Sequence, residues 1–167
     1  VTQAKEHLAG QAADLATGLK VVSDVMLDDI GGSMGPLYGT FFRQMFRVVR
    51  NKERIDAEVF NDMLTRALAS IKDIGSAKVG DKTLLDTLEP AVIAFGTQRN
   101  AGKDFLTALK AMKVAAEKGK DATVDMVAKV GRSSRLGERS RGVLDAGATS
   151  CWLILCAMAD SIIALER

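Results

Sequence analysis

Residues 36–50 read PLYGTFFRQMFRVVR, and the spacing of their apolar side chains decides the fold class. The large apolar residues follow one another in steps of three, one, three, one and three, which is the period of one face of an α-helix. They are Tyr38, Phe41, Phe42, Met45, Phe46 and Val49. Arg43, Arg47 and Arg50 fall outside this stripe, and Pro36 stands where the first turn of a helix accepts proline. The stretch therefore predicts an amphipathic helix.

The same period recurs in three further stretches, and each predicts another amphipathic helix. Their apolar residues are Phe60, Met63, Leu64, Ala67, Leu68 and Ile71 after a cap at Asp56, then Leu85, Leu88, Val92 and Phe95, then Phe105, Leu109, Met112 and Ala116. Pro90 either kinks the third of these helices or marks its first turn. We expect further helices at about 11–29, 121–129 and 149–165, and no segment alternates convincingly with the period of a strand.

These patterns predict an all-α fold with about seven helices. Short breaks between successive helices favour antiparallel neighbours, so we expect an up-and-down helical bundle or barrel with its loops at two ends. A chain of 167 residues fits one domain, which we take to span residues 1–167.

Composition narrows the range of partners. A net charge of +2 and few aromatic residues argue against a nucleic-acid surface but leave binding of a small anion open. The cysteines Cys151 and Cys156 lie in an apolar helical run and are expected to be reduced core residues, which favours a cytoplasmic location. That run, residues 149–165, is too short for a bilayer and is interrupted by Asp160, so we expect a buried helix and no membrane contact.

Two glycine-bearing loops are candidates for binding an anion. Residues 31–35, GGSMG, precede the Pro36 helix, so backbone amides and a helix N-terminus would face a ligand. Taken alone, this loop is better interpreted as a flexible connection between helices. Residues 75–83, GSAKVGDKT, nearly spell a P-loop, but Asp81 separates the second glycine from its lysine and a helix, not a strand, precedes. We reject that motif and keep the loop as a nucleotide-contact candidate.

A third segment, residues 131–150, reads GRSSRLGERSRGVLDAGATS. Its four arginines offer forked donors to an anion, and Asp145 leads into a helix starting near Thr149. The arginines are Arg132, Arg135, Arg139 and Arg141. Arginine-rich loops are also common as solvated surface. We expect the extended part of this segment to run back along the bundle, so that all three loops converge on one ligand.

Together the three motifs resemble, in order and over nearly the whole chain, the nucleotide-binding L subunit (DhaL-type domain) of the dihydroxyacetone kinase family. GGSMGPLYGTFF is similar to its glycine-serine loop and following helix, and VGDKTLLDTLEPAV to its GDKTM segment. GRSSRLGERSRGVLDAGATS is similar to its GRASYLGERS and DPGATS signature. The resemblance implies a barrel of eight amphipathic helices that binds ADP or ATP at its loop end.

By this resemblance, eight residues of the chain contact nucleotide. Ser33 and Met34 would lie at the phosphate, Gly75 and Leu84 on the adenine side, and Arg132, Asp145, Ala146 and Gly147 would complete the site. Core packing is an equal alternative for Leu84. Met34, Ser133-Ser134-Arg135 and Ala146 depart from the family pattern and leave open a relative that acts on another small ketose, such as a tetrulose.

The resemblance also implies an aspartate-rich GDxDHG loop that holds two magnesium ions, and this motif does not occur in the chain. Asp28-Asp29 is read as an exposed helix end. We expect the metal ligands to lie upstream of Val1, and no catalytic or metal-binding residue, His7 included, within these residues. Phosphoryl transfer depends on that metal, so we expect the chain to be inactive without it.

The family function implied is phosphoryl transfer to dihydroxyacetone or another short ketose held on a partner K subunit. The phosphoryl donor is left open between ATP and a phosphotransferase-system M subunit, and a homodimer is also left open. A non-catalytic interaction or regulatory module that has lost metal binding is the alternative.

Overall fold

The computed structural model describes residues 2–9 and 14–165. Those residues form seven α-helices and two 3-10 segments, and no strand occurs among them. The α-helices are α1 (Thr2–Leu8), α2 (Leu15–Asp29), α3 (Met34–Val49), α4 (Ala57–Ile74), α5 (Leu85–Asn100), α6 (Phe105–Ala122) and α7 (Ala146–Leu165). The 3-10 segments are Thr123–Asp125 and Arg132–Ser140. The prediction of an all-α fold is confirmed.

The chain divides into two compact units, Val1–Gly75 and Ser76–Arg167. The first contains α1 to α4, and the second contains α5 to α7 and both 3-10 segments. A single domain spanning residues 1–167 stays a prediction.

In the first unit, α3 packs against both α2 and α4. The stripe of residues 36–50 faces inward: Tyr38, Phe41 and Met45 are almost completely buried. Gly35 and Gly39 let α3 approach α2 closely, because an added Cβ would lie 2.1 Å from the Ile30 carbonyl oxygen and 2.4 Å from the Leu27 side chain, respectively. Successive helices that pack together through short connections run antiparallel. The end of α2, the start of α3 and the end of α4 therefore share one end of this unit.

In the second unit, α5 and α6 pack along each other and α7 packs against both. Pro90 lies inside α5 and, lacking an N–H, donates no bond to the carbonyl of Asp86. The α6 backbone comes close to that carbonyl at Gly119, where an added Cβ would lie 2.0 Å from the oxygen. The close contact of α5 and α6 thus depends on a glycine.

The aspartate side chains before three helices cap them, as is common at helix N-termini. Asp14, Asp56 and Asp104 accept hydrogen bonds from the backbone N–H of Thr17, Val59 and Thr107 at 2.8, 2.9 and 2.8 Å. The cap predicted at Asp56 is confirmed.

Three predicted boundaries differ from the structure. The helix predicted at 121–129 is wrong, because α6 ends at Ala122, a 3-10 turn follows, and Lys129 N–H then donates to the Asp81 carbonyl at 3.1 Å. The last helix begins at Ala146, three residues before Thr149. The helix predicted at 11–29 begins at Leu15, and residues 11–13 lie outside the described residues. The 131–150 segment is not extended, since Arg132–Ser140 is 3-10.

The last helix is longer than the predicted 149–165, and the expectation that it is buried holds for one face only. With 20 residues and a mean hydropathy of 1.8, α7 is long and apolar enough to cross a membrane by length and composition, which for a single helix is weak evidence. One face is buried, through Ala148, Cys151, Leu155 and Ala159, and the opposite face leaves Leu153 55% exposed. Both cysteines are free thiols, and burial raises the pKa of Cys151 and of Cys156.

We predict that Gly119→Ala lowers the free energy of unfolding by about 1–3 kcal/mol, because the new methyl group would collide with the Asp86 carbonyl on α5. Gly18→Ala is the matched control, since no atom lies within 4 Å of its Cβ position inside α2. It should stabilise the protein by about 0.5–1 kcal/mol. Urea unfolding followed by circular dichroism measures both. Equal effects of the two substitutions would contradict the close approach.

Candidate functional site

The structure brings Leu84, Asp145 and Gly147 together in the second unit. Gly147 lies in the first turn of α7, where an added Cβ would be 3.0 Å from Asp145 Oδ2, 3.4 Å from Leu84 N and 3.5 Å from Leu84 Cβ. Leu84 is only 5% exposed and immediately precedes α5. The expected adenine-side leucine therefore packs against the α7 N-terminus, and Gly147 provides the space for this contact.

Asp145 caps α7 with its own carboxylate. Asp145 Oδ2 accepts from the Ala148 N–H at 2.7 Å, and the Asp145 N–H donates to Thr123 Oγ1 at 3.0 Å. Burial raises the pKa of Asp145 above its ordinary value, and the negative charge of Asp86 acts in the same direction. The backbone N–H groups of Ala148 and Gly147 and the charge of Lys82 partly oppose the rise. A negative charge thus occupies the helix end where the sequence suggested an anion site.

Lys82 is the central residue that the sequence interpretation missed. Its side chain is 3% exposed and its φ is 61°, an uncommon backbone conformation for a non-glycine residue. Lys82 Nζ donates to the carbonyl oxygens of Met126 at 3.2 Å, Ser140 at 2.5 Å and Val143 at 2.7 Å. An ammonium group has three donors, so these bonds use all of them. The lysine of the near P-loop therefore holds the backbone and does not hold phosphate.

Two buried aspartates hold the turn around Lys82. The Asp86 carboxylate accepts from the N–H groups of Gly80 at 2.5 Å and Thr83 at 2.6 Å. Asp81 accepts from the Lys78 N–H at 2.9 Å, and this bond lowers the pKa of Asp81. Lys129 Nζ lies 3.5 Å from Asp81 Oδ1. The GDKT stretch is therefore a folded structural unit.

The segment after α6 presents three arginines to solvent. Arg132, Arg135 and Arg139 are exposed, and within the part of the chain that the structure describes none of their side chains has a hydrogen bond or ion pair. Arg141 differs, because it donates to Glu138 at 3.1 Å and to the Asp125 carbonyl. Gly131 and Gly137 have φ values of 73° and 55°, which favour glycine. The Arg132 side chain is thus available to a ligand but makes no hydrogen bond to Leu84, Asp145 or Gly147.

The remaining predicted site residues lie in the first unit. Ser33 and Met34 are exposed at the start of α3, and the Ser33 side chain caps no backbone amide. Gly75 follows α4 in an extended conformation, with φ of −141°. Because α2, α3 and α4 succeed one another antiparallel, Gly75 lies at the same end of this unit as Ser33 and Met34. The structure therefore groups these three residues, and separately Leu84 with Asp145, Ala146 and Gly147.

The described residues do not fit a magnesium site. Across residues 2–9 and 14–165, no three His, Cys, Asp or Glu side chains cluster in a way that would hold a metal ion. Asp28 and Asp29 end α2 and lack such companions.

We predict that Lys82→Met lowers the free energy of unfolding by about 2–4 kcal/mol, because three carbonyl oxygens lose charged donors. Lys118→Met, an exposed position on α6, is the control and should change it by less than about 0.5 kcal/mol. Thermal and urea unfolding measure both. A Lys82→Met protein as stable as the control would show that the three bonds contribute nothing.

We also predict a pH effect at Asp145. Its folded-state pKa is raised above the ordinary value of 3.8, so folding favours the protonated form. This contribution to stability is present below pH 3.8 and is lost as pH rises through the folded-state pKa. Asp145→Asn retains an acceptor for the cap without the charge. The stability of the Asn variant relative to wild type should rise between about pH 4 and pH 7, as measured by urea unfolding. A falling difference would contradict the sign.

Comparison with known proteins places the chain in a family. The model of the DAK2 domain matches residues 1–160. The chain is 32% identical over 162 residues to the ADP-binding subunit DhaL of PEP-dependent dihydroxyacetone kinase 2 from Listeria innocua, covering 97% of this chain and 74% of that protein. It is 32% identical to the corresponding Escherichia coli subunit, covering 87% and 70%. It is 33% identical to the L-erythrulose kinase of Pectobacterium atrosepticum, covering 93% of this chain but 26% of that protein. The chain therefore belongs to the DAK2 domain family.

Proposed function

We propose that the chain is the ADP- or ATP-binding part of a kinase that phosphorylates dihydroxyacetone or a similar short ketose held on a partner K subunit. The observation that carries the proposal is similarity along 97% of the chain to a protein named as an ADP-binding subunit of such a kinase. The name of that relative also supports a multi-subunit enzyme. We propose a cytoplasmic location, which the free thiols of Cys151 and Cys156 favour.

Within this function, Arg132 is the residue proposed to neutralise phosphate. Its guanidinium is exposed and has no partner among the described residues, whereas Lys82 is fully used by carbonyls. Forked guanidinium donors match phosphate oxygens in pairs. Ser33 and Met34 are proposed to offer backbone amides at the start of α3, where the helix dipole favours an anion.

Asp145 is proposed to face a different part of the nucleotide. A carboxylate at the start of α7 repels phosphate and accepts hydrogen bonds, so it fits a ribose hydroxyl or the adenine amino group. Ala146, exposed beside it, and Gly147 complete this proposed surface. Leu84 is buried behind Gly147 and sets its shape, and Gly75 is proposed on the adenine side.

Magnesium, when bound, would supply charge neutralisation for phosphoryl transfer. Its ligands are proposed to come from outside the described residues. This chain's own contribution is to bind and orient the nucleotide.

We predict that ADP binds the chain and that Arg132→Ala weakens the affinity about tenfold, because one charge-assisted contact to phosphate is lost. Arg139→Ala is the matched control: it removes another exposed arginine of the same segment, beyond the kink at Gly137, and should leave the affinity within about twofold. Calorimetric titration with ADP measures the dissociation constants of the wild type and the two variants. Equal ADP affinities of the wild type and Arg132→Ala would show that Arg132 does not contact the nucleotide.

Turnover tests the rest of the proposal. The full natural protein, with magnesium and a ketose-binding partner subunit, should phosphorylate dihydroxyacetone or L-erythrulose from ATP or from a phosphoprotein donor. The four combinations identify both the ketose and the donor. ADP binding without turnover in any combination would instead support a non-catalytic module.

A further inference from the structure

A basic groove in the first unit has no part in the proposed nucleotide site. It lies between α2 and α3, is open to solvent and has a volume of about 340 Å³. Its cations are Lys20 on α2, Arg43 and Arg47 on α3, and Arg50 at the C-cap of α3. Small-molecule sites begin at about 300 Å³, so the groove has room for a metabolite.

Charge in the groove is strongly unbalanced. Asp24, its one carboxylate, lies 2.6 Å from Lys20 Nζ and 4.0 Å from the Arg43 guanidinium. The side chains of Arg47 and Arg50 have no hydrogen bond or ion pair to any residue that the structure describes. Two guanidinium groups are thus free to bind an anion, and two more cations share a single counter-charge.

The spacing of the arginines sets the length of a ligand. Arg43 and Arg50 lie seven residues apart on one face of α3, or about 10 Å along the helix axis. One phosphate or carboxylate group has too few oxygen atoms to pair with every cation of this row, so a ligand with two anionic groups uses the row more fully. Half-buried Phe46 lies between them and offers an apolar surface to carbon atoms. The lining therefore fits two anionic groups joined by a short carbon backbone.

The groove is distinct from the loop proposed to contact nucleotide in the same unit. Ser33 and Arg47 are 14 positions apart, about 20 Å along α3. The sequence interpretation treated Arg43, Arg47 and Arg50 only as residues off the apolar stripe. Nothing about the groove depends on the proposed kinase function.

We propose that this groove is a second anion site, which binds a metabolite-sized polyanion with two phosphate or carboxylate groups on a short carbon backbone. Guanidinium groups of Arg47 and Arg50 bind one end in pairs of hydrogen bonds. Lys20 and Arg43 turn from Asp24 towards the other end. The carbon backbone lies against Phe46.

Calorimetric titrations at low salt test this site with three probes: fructose 1,6-bisphosphate, citrate and inorganic phosphate. One or both of the first two should bind at least tenfold more tightly than inorganic phosphate, and their order distinguishes a phosphate site from a carboxylate site. The double variant Arg47→Gln/Arg50→Gln should weaken binding of the preferred probe at least tenfold. Asp24→Asn should strengthen it, because it removes the competing carboxylate.

Two further variants distinguish binding in the groove from a general effect of net charge and from binding at the nucleotide residues. Arg66→Gln changes the net charge of the first unit on α4, outside the groove, and should leave binding within about twofold, since its exposed pair with Asp62 contributes little. Arg132→Ala should also leave it unchanged. No binding of either polyanion, equal losses in Arg66→Gln and the double variant, or loss in Arg132→Ala alone would overturn the proposal. The last result would assign the polyanion to the nucleotide residues.

Discussion

The hydrogen bonds from the buried ammonium group of Lys82 are the interaction on which the second unit most depends. One side chain joins the turn before α5 to three points in the connection between α6 and α7, at Met126, Ser140 and Val143. A buried charge is unfavourable unless its donors are satisfied, and positive φ at a lysine adds strain. The three carbonyl acceptors, together with the bonds that Asp86 accepts from Gly80 and Thr83, offset both costs.

This anchoring explains how an arginine-rich segment can be ordered and still exposed. Ser140 adds to it, because its hydroxyl accepts from the Ala128 N–H at 2.9 Å and donates to the Gly137 carbonyl at 2.7 Å. The backbone between residues 131 and 143 is therefore fixed from its inner side. Arg132, Arg135 and Arg139 project outward without internal partners among the described residues. Such an arrangement reduces the conformational entropy that binding a ligand would cost.

The helices were predictable because their signal is local. Apolar stripes such as Phe60, Met63 and Leu64 repeat within a few residues, and all three are buried in α4. The helix predicted at 121–129 was wrong for the opposite reason, because hydrogen bonds from residues distant in sequence determine the conformation of this stretch. Asp145 N–H donates to Thr123 Oγ1, and Gly142 N–H donates to the Val124 carbonyl at 2.8 Å. Neither partner is visible in a local pattern.

The candidate site residues likewise depend on contacts between residues distant in sequence, which a local pattern does not reveal. The contact of Leu84 with Gly147 joins positions 63 residues apart, and resemblance to a family motif, not spacing, pointed to both residues. For Lys82 the near P-loop was misleading, because a lysine close to a glycine suggested phosphate binding. Asp81 stands between the two residues and accepts from the Lys78 N–H, and the Lys82 side chain is buried in the protein. In the connection between α6 and α7, exposed positive charge without an internal partner among the described residues is instead offered by Arg132, Arg135 and Arg139. For the nucleotide proposed above, electrostatics favours phosphates that lie towards Arg132 and away from the carboxylate that caps α7.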